Sequence, residues 1–211
     1  VNSSSAKLCG SVTVTGLFTA NNDITISKDA NESLTLSGAI AGGKQITANG
    51  IALEVDGTGS VDAQIALTGG AQLTYSRAEN FSGLTVGNGC EADFEVSTTL
   101  TNSTLEGNVN VKSGEILTLG GDINFGTSTT LGGEGRVLLA SNSTVANLKT
   151  CLDVVVESLA NISYDASSTK IISHTYDNIE INGDVELCND VVVNGTLTWN
   201  AGNITLAGHN L

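Results

Sequence analysis

Two histidines, four cysteines and 22 carboxylates are the residues of this 211-residue chain whose types could do chemistry. Their spacing argues against most of it. His174, in KIISHTYDN, has Asp177 as its nearest acidic partner in sequence, and His209 lies two positions from Leu211. Neither falls in a nucleophile motif such as GxSxG, and a general base needs a neighbour that holds its ring against the proton it takes. Surface positions are expected for both. Cys9, Cys90, Cys151 and Cys188 include no CxxC pair and no adjacent histidine, whereas zinc sites draw on closely spaced ligand pairs.

GGEGRV at 132–137 begins like the calcium-binding pattern GGxGxD, but Val137 stands where the aspartate is needed and the pattern does not recur. Asp122, Asp184 and Asp190 are expected to be solvated turn carboxylates, each able at most to hold a cation on its own. No catalytic, cofactor-binding or metal role is assigned to any residue.

The cysteines read better as disulfides. Their number is even, and the chain, which contains no Met, starts with Val1-Asn2-Ser3-Ser4-Ser5-Ala6, a stretch suited to the terminus left by signal-peptide removal. Secretion to the cell surface or beyond is the expectation. Four cysteines allow three pairings, of which the sequential one joins Cys9 to Cys90 and Cys151 to Cys188; four buried small hydrophobes is the alternative. Asn2, Asn31, Asn80, Asn102, Asn142, Asn161, Asn194 and Asn203 open N-x-Ser/Thr sequons, candidate glycosylation sites if the source glycosylates secreted proteins. A chain this rich in Asn, Ser and Thr produces most of them by composition alone.

Charge excludes other partners. Charged residues make up 14% of the chain, below the roughly 25% usual in soluble domains, and the formal net charge is -14. The eight Lys and Arg are scattered singly, so neither a phosphate backbone nor an anionic membrane surface finds the clustered cations it requires. No apolar run approaches the roughly 18 residues that span a bilayer.

The elements that would position any site are strands. Apolar residues never recur at helical spacing over a helix-length window. They recur at Ile162, Ile171, Ile179, Val185, Val191, Leu197 and Ile204, a beat of six to nine residues, and at Leu117, Ile123, Leu131, Val137, Val145 and Val154 upstream. Within each run the side chains alternate, as in Ile179-Glu180-Ile181 or Leu197-Thr198-Trp199, giving one dry and one wet face. An antiparallel sandwich repeats its strand signal every 8 to 12 residues. The shorter beat fits an all-β parallel β-helix, or β-solenoid, with coils of roughly 18 to 25 residues, about nine or ten in all. Residues 1–211 form one such domain in this reading, with 1–11 an extended N-terminal segment. Asn-Gly pairs such as Asn182-Gly183 and Asn194-Gly195 keep an antiparallel sandwich or jelly roll as the alternative. Residues 39–80 keep the beat least well and are expected to carry longer excursions.

The segments LTLSG, LTVGN, LTLGG, LTWNAG and ITLAG, with Asn-Gly and Gly-Gly corners and no Pro, resemble the parallel β-helices of secreted bacterial surface proteins, autotransporter passengers and filamentous-haemagglutinin-type adhesins among them. The resemblance is one of texture over most of the chain. It implies an extracellular structural or adhesive role, with cell-surface polysaccharide or a host surface as partner, and identifies no site. β-Helix enzymes that degrade polysaccharides, the remote alternative, cluster Asp with Arg and Lys on one face, whereas Arg77 and Arg136 are isolated here. Outward threonines at Thr13, Thr25, Thr35, Thr85, Thr118, Thr198 and Thr205 would form an ice-ordering ladder if they stood in register; threonine is also simply favoured on exposed strand faces.

The chain's ends suggest a role. An uncapped solenoid end presents unpaired backbone groups over an exposed apolar core, and apolar residues continue to the last position through Leu197, Trp199, Ile204, Leu206 and Leu211, with Val12 and Val14 near the start. Two such ends complement one another, and head-to-tail contacts build open fibres. The expected function is a structural subunit of an extracellular filament or matrix, its partner a second copy of itself. A fragment of an adhesin or carbohydrate-binding module is the alternative.

Overall fold

The computed structural model describes residues 4–29, 31–152, 154–157, 160–165 and 169–211. All of its regular structure among these residues is β-strand, and every strand pairing is parallel. The chain winds into a β-solenoid of about ten coils. One sheet of 14 strands runs its whole length, from Ser5–Leu8 at one edge to Leu197–Ala201 at the other. A seven-stranded sheet, from Val12–Val14 to Thr130–Gly133, forms a second wall, and Thr169–Ile171, Val185–Leu187 and Ile204–Thr205 form a short sheet at the far end. Ser5–Leu8 pairs in register with Ile24–Lys28 and so belongs to the first coil, within the stretch expected as an extended segment.

The alternation legible in the sequence is the alternation of this structure. Ile24, Ile46, Ile65, Leu84, Ser103, Ile123, Val145, Tyr164, Ile181 and Trp199 stack one above another along the long sheet, all but the last buried. Ser103, the polar member, occupies a register shift in Thr98–Leu105; its hydroxyl donates to the Thr101 carbonyl and accepts the Leu84 amide, which satisfies the backbone where the strand bends. Leu34, Leu53, Leu73, Ala92 and Val109 line the second wall. Three of the eight aromatics meet in the interior between the two walls, where Tyr75 stacks on Phe81 at 4.8 Å and leans on Phe94 at 5.8 Å.

Residues 39–80 carry no excursion. Gln45 sits over Gln64, and Leu84 returns over Ile65, so both coils stay short. The irregularity is instead a corner built around Arg77, which is 1% exposed. Its guanidinium donates to the carbonyls of Leu36, Gly38 and Asp56 at 2.6 Å and of Gly59 at 3.1 Å, tying three successive coils. Gly57 is required there: its φ is +75° and a Cβ would stand 2.2 Å from the Ser37 carbonyl oxygen.

Candidate binding surfaces

Coil length varies, so something other than strand register must hold the corners. Asp23 Oδ1 accepts the Gln45 amide at 3.0 Å, Asn80 Oδ1 that of Thr99 at 3.1 Å, Asn102 Oδ1 that of Asp122 at 3.1 Å and Asn178 Oδ1 that of Thr196 at 2.7 Å. Asp184 takes Asn203, and Asp190 takes Asn210, each by a backbone amide at 2.8 Å and a side-chain amide. A short polar side chain at the corner thus replaces the carbonyl that a continuous strand would offer to the neighbouring coil. The bonds from Asn210 hold the Asp190 carboxyl below its usual range, and those from Ser97 do the same for Glu115. Asp184 and Asp190, expected as solvated carboxylates, hold coils together; among the described residues no three metal-ligating side chains converge. In the Gly-rich stretch at 132–137, Val137 points into the core.

The two histidines have separate surroundings. His174 meets the Tyr176 ring edge-on at 5.4 Å and the Glu157 carbonyl at 3.2 Å. His209 Nδ1 lies 3.9 Å from Asp190. Sequence reading missed one acidic constellation: Glu91 and Asp93 share the Asn110 amide at 2.6 and 2.8 Å. Burial, with Glu91 and Glu95 nearby, raises the Asp93 carboxyl. The alternation in Glu91-Ala92-Asp93-Phe94-Glu95 carried the signal.

Cys151 and Cys188 form a disulfide with Cα atoms 5.5 Å apart. Cys9 and Cys90 do not pair: both are free, Cys9 exposed on the first coil and Cys90 buried. Four coils at about 4.8 Å put them on the order of 19 Å apart, far beyond the roughly 7 Å limit between bridged Cα atoms.

Of the sequons, Asn2 lies outside the described residues. Asn80 and Asn102 hold the corners just described, Asn203 donates to Asp184, and Asn161 accepts from Asn178 at 2.5 Å. Asn31 is exposed. Asn142 and Asn194 are exposed with no side-chain hydrogen bond among the described residues. The threonines form no single ladder. Thr13 pairs with Thr35 on the seven-stranded sheet, Thr25, Thr85, Thr118 and Thr198 belong to the long sheet, and Thr205 to the short one. Thr25 stands over Thr47, but Ala66 interrupts the row before Thr85.

The predicted interface residues gather at the rims. At the last coil Leu197, Trp199, Leu206 and Leu211 are exposed, Trp199 by 57%, and Ile204 is half-buried. At the first coil Val12 is exposed, Val14 half-buried, and Leu17, which pattern reading passed over, is 65% exposed. Between the rims the outer face of the long sheet carries two adjoining hollows of about 400 and 310 Å³ that meet at Thr144. No described helix is long and apolar enough to cross a membrane. No protein family, no curated protein and no solved structure matches the chain.

Proposed function

We propose that the chain is a structural rod of a secreted, extracellular assembly, lengthened by coil-on-coil pairing between copies. One observation carries this reading: Ser5–Leu8 and Leu197–Ala201 are the two edge strands of the same parallel sheet, and the coils at both ends expose apolar side chains. The first coil of one copy set on the last coil of another continues the sheet in direction and face, and covers Trp199 as Trp199 covers Ile181. Such a joint is heterologous and grows without closing.

The last coils carry Asp177, Glu180, Asp184, Glu186 and Asp190 with no Lys or Arg after Lys170, whereas residues 4–44 balance Lys7, Lys28 and Lys44 against Asp23, Asp29 and Glu32, so the joint sets an acidic coil on one of little net charge. The net charge of -14 opposes side-to-side clumping. The Cys151–Cys188 disulfide suits an oxidising compartment.

Negative-stain electron microscopy and sedimentation of the parent chain and of a Trp199→Asp, Leu206→Asp double variant test the reading. The expected result is uniform filaments from the parent and short single rods from the variant. A parent that stays monomeric as its concentration rises overturns it, as does a mature protein in which residues outside 1–211 cover the rims.

A further inference from the structure

The hollows on the outer face of the long sheet make one continuous trough, which meets the rim only at Thr198. It runs from the Asn102 corner, where the strand bends, to Thr198. Asp122, Thr144, Ser163, Glu180 and Thr198 stand in register along it, one per coil. At about 4.8 Å per coil the row covers on the order of 19 Å. Asn124, Ala146 and Asp165 form a parallel row beside it. The trough therefore repeats a small polar group at nearly constant spacing on a wall fixed by backbone ladders.

We infer that this trough binds a neutral, hydroxyl-rich polysaccharide chain laid along the solenoid axis. Three features select that chemistry. Among the described residues no Lys or Arg lines the trough, and Asp122, Asp165 and Glu180 do, so phosphate, sulfate and uronate chains are repelled. The carboxylates and amides accept, and the Thr and Ser hydroxyls both donate and accept, which matches vicinal hydroxyls. The repeat per coil is comparable with one hexose of an extended chain, so successive sugars each meet one polar side chain of the row. No aromatic ring lines the trough among the described residues, so stacking contributes nothing. Each sugar binds weakly, and affinity accumulates along the polymer.

The experiment is affinity electrophoresis of the native chain, at concentrations where it is a single rod, through gels containing soluble β-glucan, mannan, galactan or a sulfated galactan. Retardation by at least one neutral polymer and none by the sulfated one is expected. Thr144→Arg should weaken that retardation at least tenfold, and Thr35→Arg, on the other wall, should leave it unchanged. Amide chemical-shift mapping of the parent with the retarding polymer, expected to perturb residues 122–124, 144–146 and 163–165, keeps the test valid if Thr144→Arg misfolds. Absence of retardation by all neutral polymers, indifference to Thr144→Arg, or shifts centred outside the trough overturns the inference. Because the single rod is assayed, failure here leaves axial assembly standing, and the reverse.

Discussion

The hydroxyl of Tyr164 lies 2.8 Å from that of Tyr176, inside the core of the last coils. Tyr176 donates to the Ile172 carbonyl at 2.6 Å, so the shared proton between the rings is that of Tyr164. The Ile172 amide reaches back to Tyr164 at 3.4 Å. A closed polar ring thus satisfies one corner's backbone through side chains.

Phenol ionisation should report this burial. Desolvation pushes Tyr164 up to about 12 and raises Tyr176 and Tyr75 further, and these are the chain's three tyrosines. The native protein should show no tyrosinate absorbance at pH 10 to 11, where denatured chain titrates near 10. Stability from the neutral phenols is complete below the unfolded value of about 10 and falls as pH rises toward 12 and beyond. Tyr176→Phe leaves the Ile172 carbonyl unpaired and should cost about 1–3 kcal/mol in urea unfolding.

Arg77→Lys should be poorly tolerated. An ammonium carries three donors on one atom and cannot span the four carbonyls that the planar guanidinium reaches on two neighbouring coils. A loss of about 3 kcal/mol is expected by chemical denaturation, with faster amide exchange at Gly38 and Gly59.

The two cysteine classes should separate by reactivity. A thiol reagent should label one cysteine in the native protein, Cys9, and reach Cys90 only on unfolding. Replacing Cys151 and Cys188 with Ser should cost about 2–4 kcal/mol. The loss should appear first as amide exchange after Leu148, with the coils before it protected.

Acid should loosen particular corners. Glu115 and Asp190 have lowered folded values, so their contribution is present above the unfolded carboxylate range near 4 and is lost as pH falls through the folded values. Exchange of the Ser97 and Asn210 amides should accelerate below pH 4. Asp93, raised by burial, works in the opposite direction and should not share that behaviour.

The strand beat was legible because a two-residue period needs only local sequence, and Ile179-Glu180-Ile181 shows it unaided. Register was not, because it depends on coil length: Asn178 lies 17 residues from the Asn161 it bonds, and Gln45 lies 22 from Asp23. That variation scattered the threonines over three sheets and placed Thr144, Ser163 and Glu180 in one trough. Cys151 with Cys188 followed from proximity along the chain, whereas Cys9 with Cys90 failed because sequence order becomes axial distance in a solenoid. Arg77 looked isolated because its partners are carbonyls, which every residue carries.

Under tension, the same disulfide sets how far this rod can be drawn out. A solenoid pulled from its ends sheds one coil after another, since each coil's ladder bears the load in turn. The 37-residue separation between Cys151 and Cys188 removes a segment of roughly 3.3–3.6 Å per residue from that extension. About 125 Å of contour thus stays locked while the bridge is oxidised, leaving a block of coils near one end that holds while the coils on either side of it yield.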